Sequence, residues 1–434
     1  CGTLSFDTIN FSQSKNTDVL VLDHHQSDLK LPKAFSIVNP NRFDDKSNLN
    51  YLCAAGVCFM FLVALNKKLR EIGWFKKNNT DEPNLMNYLD LVALGTICDV
   101  VNLQNYNRLF VSKGIKNIHK RKNTAITTLI DNSSINNTPT ASDISYFIGP
   151  QLNAASRISD SSLPSKFLIS EDIVEIESIS RKLLILNEKR KLIEKNILNQ
   201  AIDQAIKQKN KNVIIVLGEE WHKGVLGIIA SRLVEIFNKP SIVISFNKEQ
   251  AIGSARSLNF IDIGRIIMDA KNENVIEEGG GHKMAAGLKI SMNKYSSFLK
   301  FIEDIFIKYD SSYFKKTIFY DTILSVDEIN IGLLEDIEKL EPFGKGNPEP
   351  KFIIKNIYLE LTKIIKERHV LIKFRNNSDL LLKGISFNCV DNDLGQNLLK
   401  SKNKKFDLGC SIKKDVYQTN IQPQLVIYDA MFTN

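Results

Sequence analysis

Apolar positions change their period several times along the chain, and each change marks a different kind of element. Asp18–Asp23 (DVLVLD) is a short apolar run closed by polar residues, which predicts a buried strand. Helical spacing follows over Tyr51–Leu69 and an apolar element over Leu89–Val101. Strands alternating with helices predict a parallel α/β sheet with ligands beyond the carboxyl ends of its strands. Ile176, Ile179, Leu183, Leu186, Ile193 and Ile197 then recur at helical spacing, so 171–209 reads as one long connector helix between two lobes. A second α/β unit follows: strand Asn212–Leu217, helix Val225–Phe237, strand Ser241–Phe246, the segment Gly253–Ser257 and a glycine turn at Gly279–Gly281. Beyond a helix over Val326–Leu340 and the turn Pro342–Pro350, only short β-like runs remain, which suit a small OB-like barrel. The expected fold is α/β: two α/β lobes joined by a long helix, plus a C-terminal OB-like β-barrel. Its boundaries fall at 1–170, 171–209, 210–312 and 313–434.

Composition narrows the class. The chain has 434 residues, 43% of them hydrophobic, enough for sizeable cores. No apolar run approaches the ~18 residues of a spanning helix, which predicts a soluble protein with no membrane partner. The richest run, Cys53–Leu65, is followed at once by Lys67, Lys68 and Arg70 and reads as a buried helix. Six scattered cysteines without CxxC spacing suit free thiols in a reducing cytoplasm. The net charge of +8, with lysine clusters at Lys113–Lys122 and Lys400–Lys405, favours a polyanionic partner. Such runs are equally the mark of a solvated face, so charge alone leaves both readings open.

The candidate chemistry lies in short polar clusters. Asp23-His24-His25 directly follows the first strand, placing a carboxylate and two imidazoles where a metal and a phosphate could be held. Asp99, in LGTICDVV, stands just beyond an apolar stretch. Arg157 closes GPQLNAASR and offers a planar fork suited to phosphate. Glu220–Leu233 (EWHKGVLGIIASRL) opens a helix, whose N-terminus can accept an anion. Gly253–Ser257 (GSARS) concentrates hydroxyls and a guanidinium, and Gly279–His282 (GGGH) permits close backbone approach. Taken singly, each reads as well as a tight turn or helix cap.

Taken in order, these elements and PFGKGNPEP resemble the RecJ exonucleases of the DHH phosphoesterase family across nearly the whole chain. The resemblance implies metal-dependent hydrolysis of single-stranded DNA from the 5′ end, in DNA repair and recombination. It makes His24 and Asp99 metal ligands of a two-ion Mn2+ or Mg2+ centre, His25 a contact to the scissile phosphate, and Asp23 the group that orients an imidazole. It assigns Arg157, Ser254 and Arg256 to the 5′-terminal phosphate, and His282 with Gly280 and Gly281 to the substrate. Ser156 stands where the family has glycine, a change expected to stiffen or shift a loop. A cleft between the lobes would admit one strand, and barrel aromatics (Phe343, Phe352, Tyr358, Phe374, Tyr428) are candidates to stack on bases.

The resemblance further implies that an Asp-rich motif and the start of a V-D-C-G-T motif precede Cys1. On that reading the 434 residues hold an incomplete metal set and are inactive alone. A monomer is expected, with single-stranded DNA as partner and a single-strand-binding protein and a helicase as further candidates. Two other readings stand beside it: a catalytically incomplete DNA-binding scaffold, and a small-nucleotide phosphodiesterase that prefers dinucleotides.

Overall fold

The computed structural model describes residues 2–133, 135, 139–377, 379–400, 405–417 and 420–433. Cys1 and most of the lysine cluster at 400–405 lie outside the described residues. Two compact units emerge, one comprising Cys1–Lys120, Thr138–Ile144 and Ile318–Asn434, the other Arg121–Asn137 and Ser145–Thr317.

In the first unit the strand Leu20–Leu22 pairs in parallel with Ser36–Val38. Helices dominate the rest of its N-terminal part. Ala54–Glu71 buries Val57 and Phe59 against Leu89 and Val92 of the helix Leu89–Cys98. That second helix is apolar on nearly every side, so its polar end, Asp99, is where the chain returns to solvent.

The C-terminal part of this unit is a seven-stranded, OB-like sheet. Its order is Leu361–Ile365, His369–Arg375, Leu381–Ser386, Asn420–Thr433, Lys405–Tyr417, Phe352–Tyr358 and Thr322–Leu324. Alternation decides the faces: Val370, Ile372 and Phe374 point inward and are fully buried. Phe352 and Phe374 are therefore core, whereas Tyr358 and Tyr428 remain 58% and 38% exposed, each under a lysine ammonium (Lys405 and Lys351). The helix expected over Val326–Leu340 is interrupted: a short turn of helix at Val326–Glu328 precedes Ile331–Glu338, which Asn330 caps through its side chain.

The second unit is built on the connector helix, Ile173–Ile206, capped by Asp172, whose carboxylate accepts from Val174 N. Its 34 residues span about 50 Å. The five-stranded sheet beside it runs in the order Ile214–Glu219, Ser241–Phe246, Gln250–Arg256, Ala285–Ser291, Glu278–His282; only its first pair is parallel.

Ile214–Glu219 is an edge strand, and the end of the connector helix with the turn that follows it closes that edge with side chains. Gln204 donates to Leu217 O (2.9 Å) and accepts from Leu217 N (3.0 Å); Gln208, one turn later, does the same for Ile215 (2.7 and 3.1 Å). Two primary amides thus replace a neighbouring strand and fix helix to sheet. Gln204→Leu orphans both backbone groups of Leu217, so we expect the unit to lose about 2–3 kcal/mol. A guanidinium melt followed by circular dichroism checks this; an unchanged midpoint would show that water substitutes for the amide.

Two local expectations are corrected. Glycines 279–281 form an edge strand, not a turn. A Cβ on Gly281 would stand 2.3 Å from Ala285 O, so glycine is what lets this strand close on its neighbour. GPQLNAASR is likewise a helix, Gly149–Ile158, not a loop. Ser156 sits within it and its hydroxyl donates to Asn153 O (2.9 Å), so its departure from glycine costs no loop geometry.

Candidate metal centre and phosphate site

Asp23 leaves the first strand and turns inward, with 1% of its surface exposed. Its Oδ2 accepts from Thr3 N (2.9 Å); Oδ1 accepts from His24 N (2.8 Å), His25 N (3.2 Å) and His25 Nδ1 (2.7 Å). Burial pushes this carboxyl up, but the bonds from His25 and Thr3 outweigh it and hold the group well below the usual carboxylate range. An ionised acceptor here fixes the proton of His25 on Nδ1, which makes Nε2 the basic nitrogen.

A second layer holds the backbone of His24 and His25 and the hydroxyl of Thr3. Asn39 Nδ2 donates to Thr3 Oγ1 and to His25 O, both at 2.9 Å, and Asn41 Nδ2 donates to His24 O at 2.7 Å. Both asparagines follow the neighbouring parallel strand, Ser36–Val38. Sequence alone does not single out Asn39 and Asn41, because the strand they follow is only three residues long and the groups they hold lie across it.

His24 faces Asp99, with Nε2 and Oδ2 3.5 Å apart. Asp99 caps the helix Leu89–Cys98, its N–H bonded to Gly95 O. The next residue, Val100, sits at φ 55°, a strained position for a β-branched side chain and a mark of a turn held by its surroundings. Burial pushes His24 down, against the pull of Asp99, which keeps the imidazole in its neutral, metal-binding form. Burial pushes Asp99 up, against the pull of His24, His25 and Lys345.

Among the described residues no group of three or more His, Cys, Asp or Glu side chains converges on one point. The pair His24 and Asp99 nevertheless fits a divalent ion. Adjacent ligands of an octahedral ion stand roughly 3 Å apart, and a nitrogen with a carboxylate oxygen is a mixture that suits manganese.

The second unit holds the other candidates. Arg157, in the last turn of its helix, donates from Nη1 to Gly224 O (3.2 Å). Arg256 donates from Nη1 to Ser254 Oγ (3.1 Å) and Ala255 O (2.9 Å). A Cβ on Gly227 would stand 2.7 Å from Arg256 Nη2, so the start of the helix Leu226–Phe237 is open enough for that guanidinium. Strand register completes the group. Arg256, Ala285 and His282 lie side by side across three strands, as do Ser254, Gly287 and Gly280, and Ala255, Ala286 and Gly281. Side chains opposite one another share a face, so Ser254, Arg256 and His282 line one surface.

Burial lowers both guanidiniums, and proximity adds to it: Arg190 acts on Arg157, and Arg157 on Arg256. A site that crowds cations at a cost is one that an anion relieves. Behind it, the connector helix carries Arg190, which donates to Glu194 (2.6 Å) and Asn187, while Arg232 stands 3.8 Å from Glu194. Sequence alone singles out neither Arg190 nor Glu194; their i, i+4 spacing on the connector helix is their one signal.

The fold and the paired acid–imidazole centre define a DHH-type phosphoesterase. Residues 1–96 match the DHH family, N-terminal domain; 209–308 match the DHHA1 domain; 320–429 match the RecJ OB domain. The single-stranded-DNA-specific exonuclease RecJ of Dickeya dadantii is 32% identical over 399 residues, covering 89% of this chain and 69% of that protein; RecJ of Escherichia coli gives the same figures. The structure of RecJ from Thermus thermophilus with Mn2+ superposes with a TM-score of 0.80 at 24% identity, covering 100% of this chain and 61% of that one. A second RecJ structure bound to manganese has a TM-score of 0.56 at 27% identity, covering 71% of this chain and 74% of the other. The chain belongs to the RecJ family of single-stranded-DNA-specific exonucleases. It spans about two thirds of the length of the relatives it matches. No helix among the described residues is long and apolar enough to cross a membrane.

Proposed function

We propose that the protein hydrolyses phosphodiester bonds of single-stranded DNA from the 5′ end, in a divalent-cation-dependent reaction serving DNA repair and recombination. The observation that carries this reading is the His24–Asp99 pair, 3.5 Å apart, beside an imidazole fixed by the buried Asp23. His24 and Asp99 would ligate Mn2+ or Mg2+, in a two-ion centre as in the family resemblance. A cation held there supplies an activated water and neutralises charge on the phosphate.

Every other task falls to the protein's own groups. His25, oriented through Nδ1, contacts the scissile phosphate, and Asp23 keeps its ring in one tautomer. Arg157, Ser254 and Arg256 hold the 5′-terminal phosphate, and His282 with the backbone of Gly280 and Gly281 contacts the strand. Tyr358 and Tyr428, exposed beside lysines, offer stacking surfaces for bases. We read the division into a DHH domain (1–170), connector (171–209), DHH-associated domain (210–312) and OB-fold (313–434) as functional. A monomer in the cytoplasm, meeting a single-strand-binding protein and a helicase, completes the reading.

The test, on the full-length gene product, is degradation of a 3′-labelled, 5′-phosphorylated single strand and of the matching duplex. Mn2+ should give mononucleotides from the single strand, the duplex should resist, and EDTA should stop the reaction until metal is restored. Tight binding without cleavage would favour the scaffold. Faster cutting of dinucleotides than of long strands would favour the small-nucleotide phosphodiesterase.

A further inference from the structure

The turn Pro342–Pro350 supplies none of the ligand or phosphate-contact residues assigned above, yet it is fastened to the segment that leaves Asp99. Leu103 N donates to Lys345 O at 2.7 Å, and Arg108 donates from Nη2 to Leu340 O at 2.7 Å. Gly344 and Asn347 exchange two backbone bonds, 2.9 and 3.1 Å, and the Asn347 amide spans Leu340 O and Pro342 O. Glycine is required on both sides of Lys345. A Cβ on Gly344 would stand 2.7 Å from Leu103 Cδ1, while Gly346 sits at φ 79° over Asn102. Docking therefore accounts for Gly344, Gly346 and Asn347, and it uses only the carbonyl of Lys345.

The side chain of Lys345 is left unexplained. It is exposed, and among the described residues its ammonium has no ion-pair or hydrogen-bond partner. The docking places it beside the centre: the Lys345 carbonyl accepts from Leu103 N, only four residues beyond Asp99. An unpaired cation, held by its own backbone against the segment that leaves a phosphodiesterase centre, has one chemical complement there.

We propose that Lys345 is a substrate-binding cation of the centre, contacting a non-bridging oxygen of a strand phosphate beside His24 and Asp99. The inference rests on the phosphodiesterase reading. A compact ammonium on a flexible stem suits this task better than a fixed fork, because each cut advances the strand and the contact must be remade.

Lys345→Gln and Lys345→Arg test it, with a 5′-phosphorylated oligothymidylate in Mn2+ between 50 and 200 mM salt. Lys345→Gln should raise KM about 3- to 10-fold at the lowest salt, leave kcat unchanged, and flatten log KM against log salt by about 0.7. Lys345→Arg should restore the salt slope and recover most of the loss in KM. Melting should not change, because the carbonyl that docks the turn remains. Unaltered KM and salt slope in Lys345→Gln would overturn the proposal. So would a fall in kcat with the slope intact, which would make Lys345 a positioning residue for Asp99. A wild-type protein that neither binds nor cuts the strand refutes the phosphodiesterase reading, and this inference with it; an active wild type matched by Lys345→Gln refutes the inference alone.

Discussion

Asp23→Ala should lower kcat/KM on single-stranded DNA by about a thousandfold or more, and Asp23→Asn by only about 10- to 100-fold. The difference follows from the bonds that this carboxylate accepts from Thr3 N, His24 N, His25 N and His25 Nδ1. Alanine removes all of them, leaves buried N–H groups at Thr3 and His24 without acceptors, and frees the His25 ring to take either tautomer. Breaking such a buried charged network costs about 3–5 kcal/mol of stability. Asparagine has a choice of orientation. Oδ1 accepts from His24 N, His25 N and His25 Nδ1, so the amide oxygen takes the Oδ1 position and the amide nitrogen turns toward Thr3. His25 keeps its tautomer and loses only the charge behind it, while Thr3 N loses its acceptor, at about 1–3 kcal/mol. Steady-state kinetics with thermal melts separates the two effects. Equal losses of activity in the two variants would mean that charge, not tautomer, is what Asp23 supplies.

The same geometry explains what could be read from the sequence. Asp23, His24 and His25 are adjacent in the chain, and Asp99 ends an apolar helix, so their roles follow from local pattern. Asn39 and Asn41 act on backbone carbonyls across a parallel strand pair, and nothing in their own neighbourhood announces that. Arg190, Glu194 and Gln204 share a helix whose apolar stripe was plain, with Gln208 in the turn just past it, but which polar position meets an arginine cluster and which a bare strand edge depends on the packing of that helix. Glycine runs were ambiguous in kind: 279–281 permit a turn as well as a close-packed strand, and only the approach of Ala285 and Ala286 decides for the strand. The barrel aromatics divide the same way: Phe374 points inward by the phase of its strand, whereas Phe352 and Tyr358 share one strand six residues apart, and only the register shift between them, with Asn356 at φ 59°, turns Tyr358 outward.

Arg256→Gln should separate stability from recognition in opposite directions. Arg256 is half-buried, and Arg157 repels it, so in the free protein the charged pair is a liability. Glutamine removes the repulsion while its amide can still reach Ser254, so the free protein should melt no lower than wild type and up to about 1 kcal/mol more stably. With a phosphate-terminated strand the order reverses. Loss of a charge-assisted contact in a half-buried site costs about 1.5–3 kcal/mol, so KM for 5′-phosphorylated DNA should rise roughly 10- to 150-fold. A 5′-hydroxyl strand, which never used that contact, should change little. Millimolar thymidine 5′-monophosphate should raise the melting temperature of wild type and leave the variant unmoved. A variant less stable than wild type would mean that Arg256 holds the strand Gln250–Arg256 in place, and equal KM increases on both substrates would detach it from the strand's 5′ end. Arg157→Gln provides the complementary check. The anion is what makes the two arginines compatible, so the loss of affinity in the double variant should fall short of the sum of the two single losses.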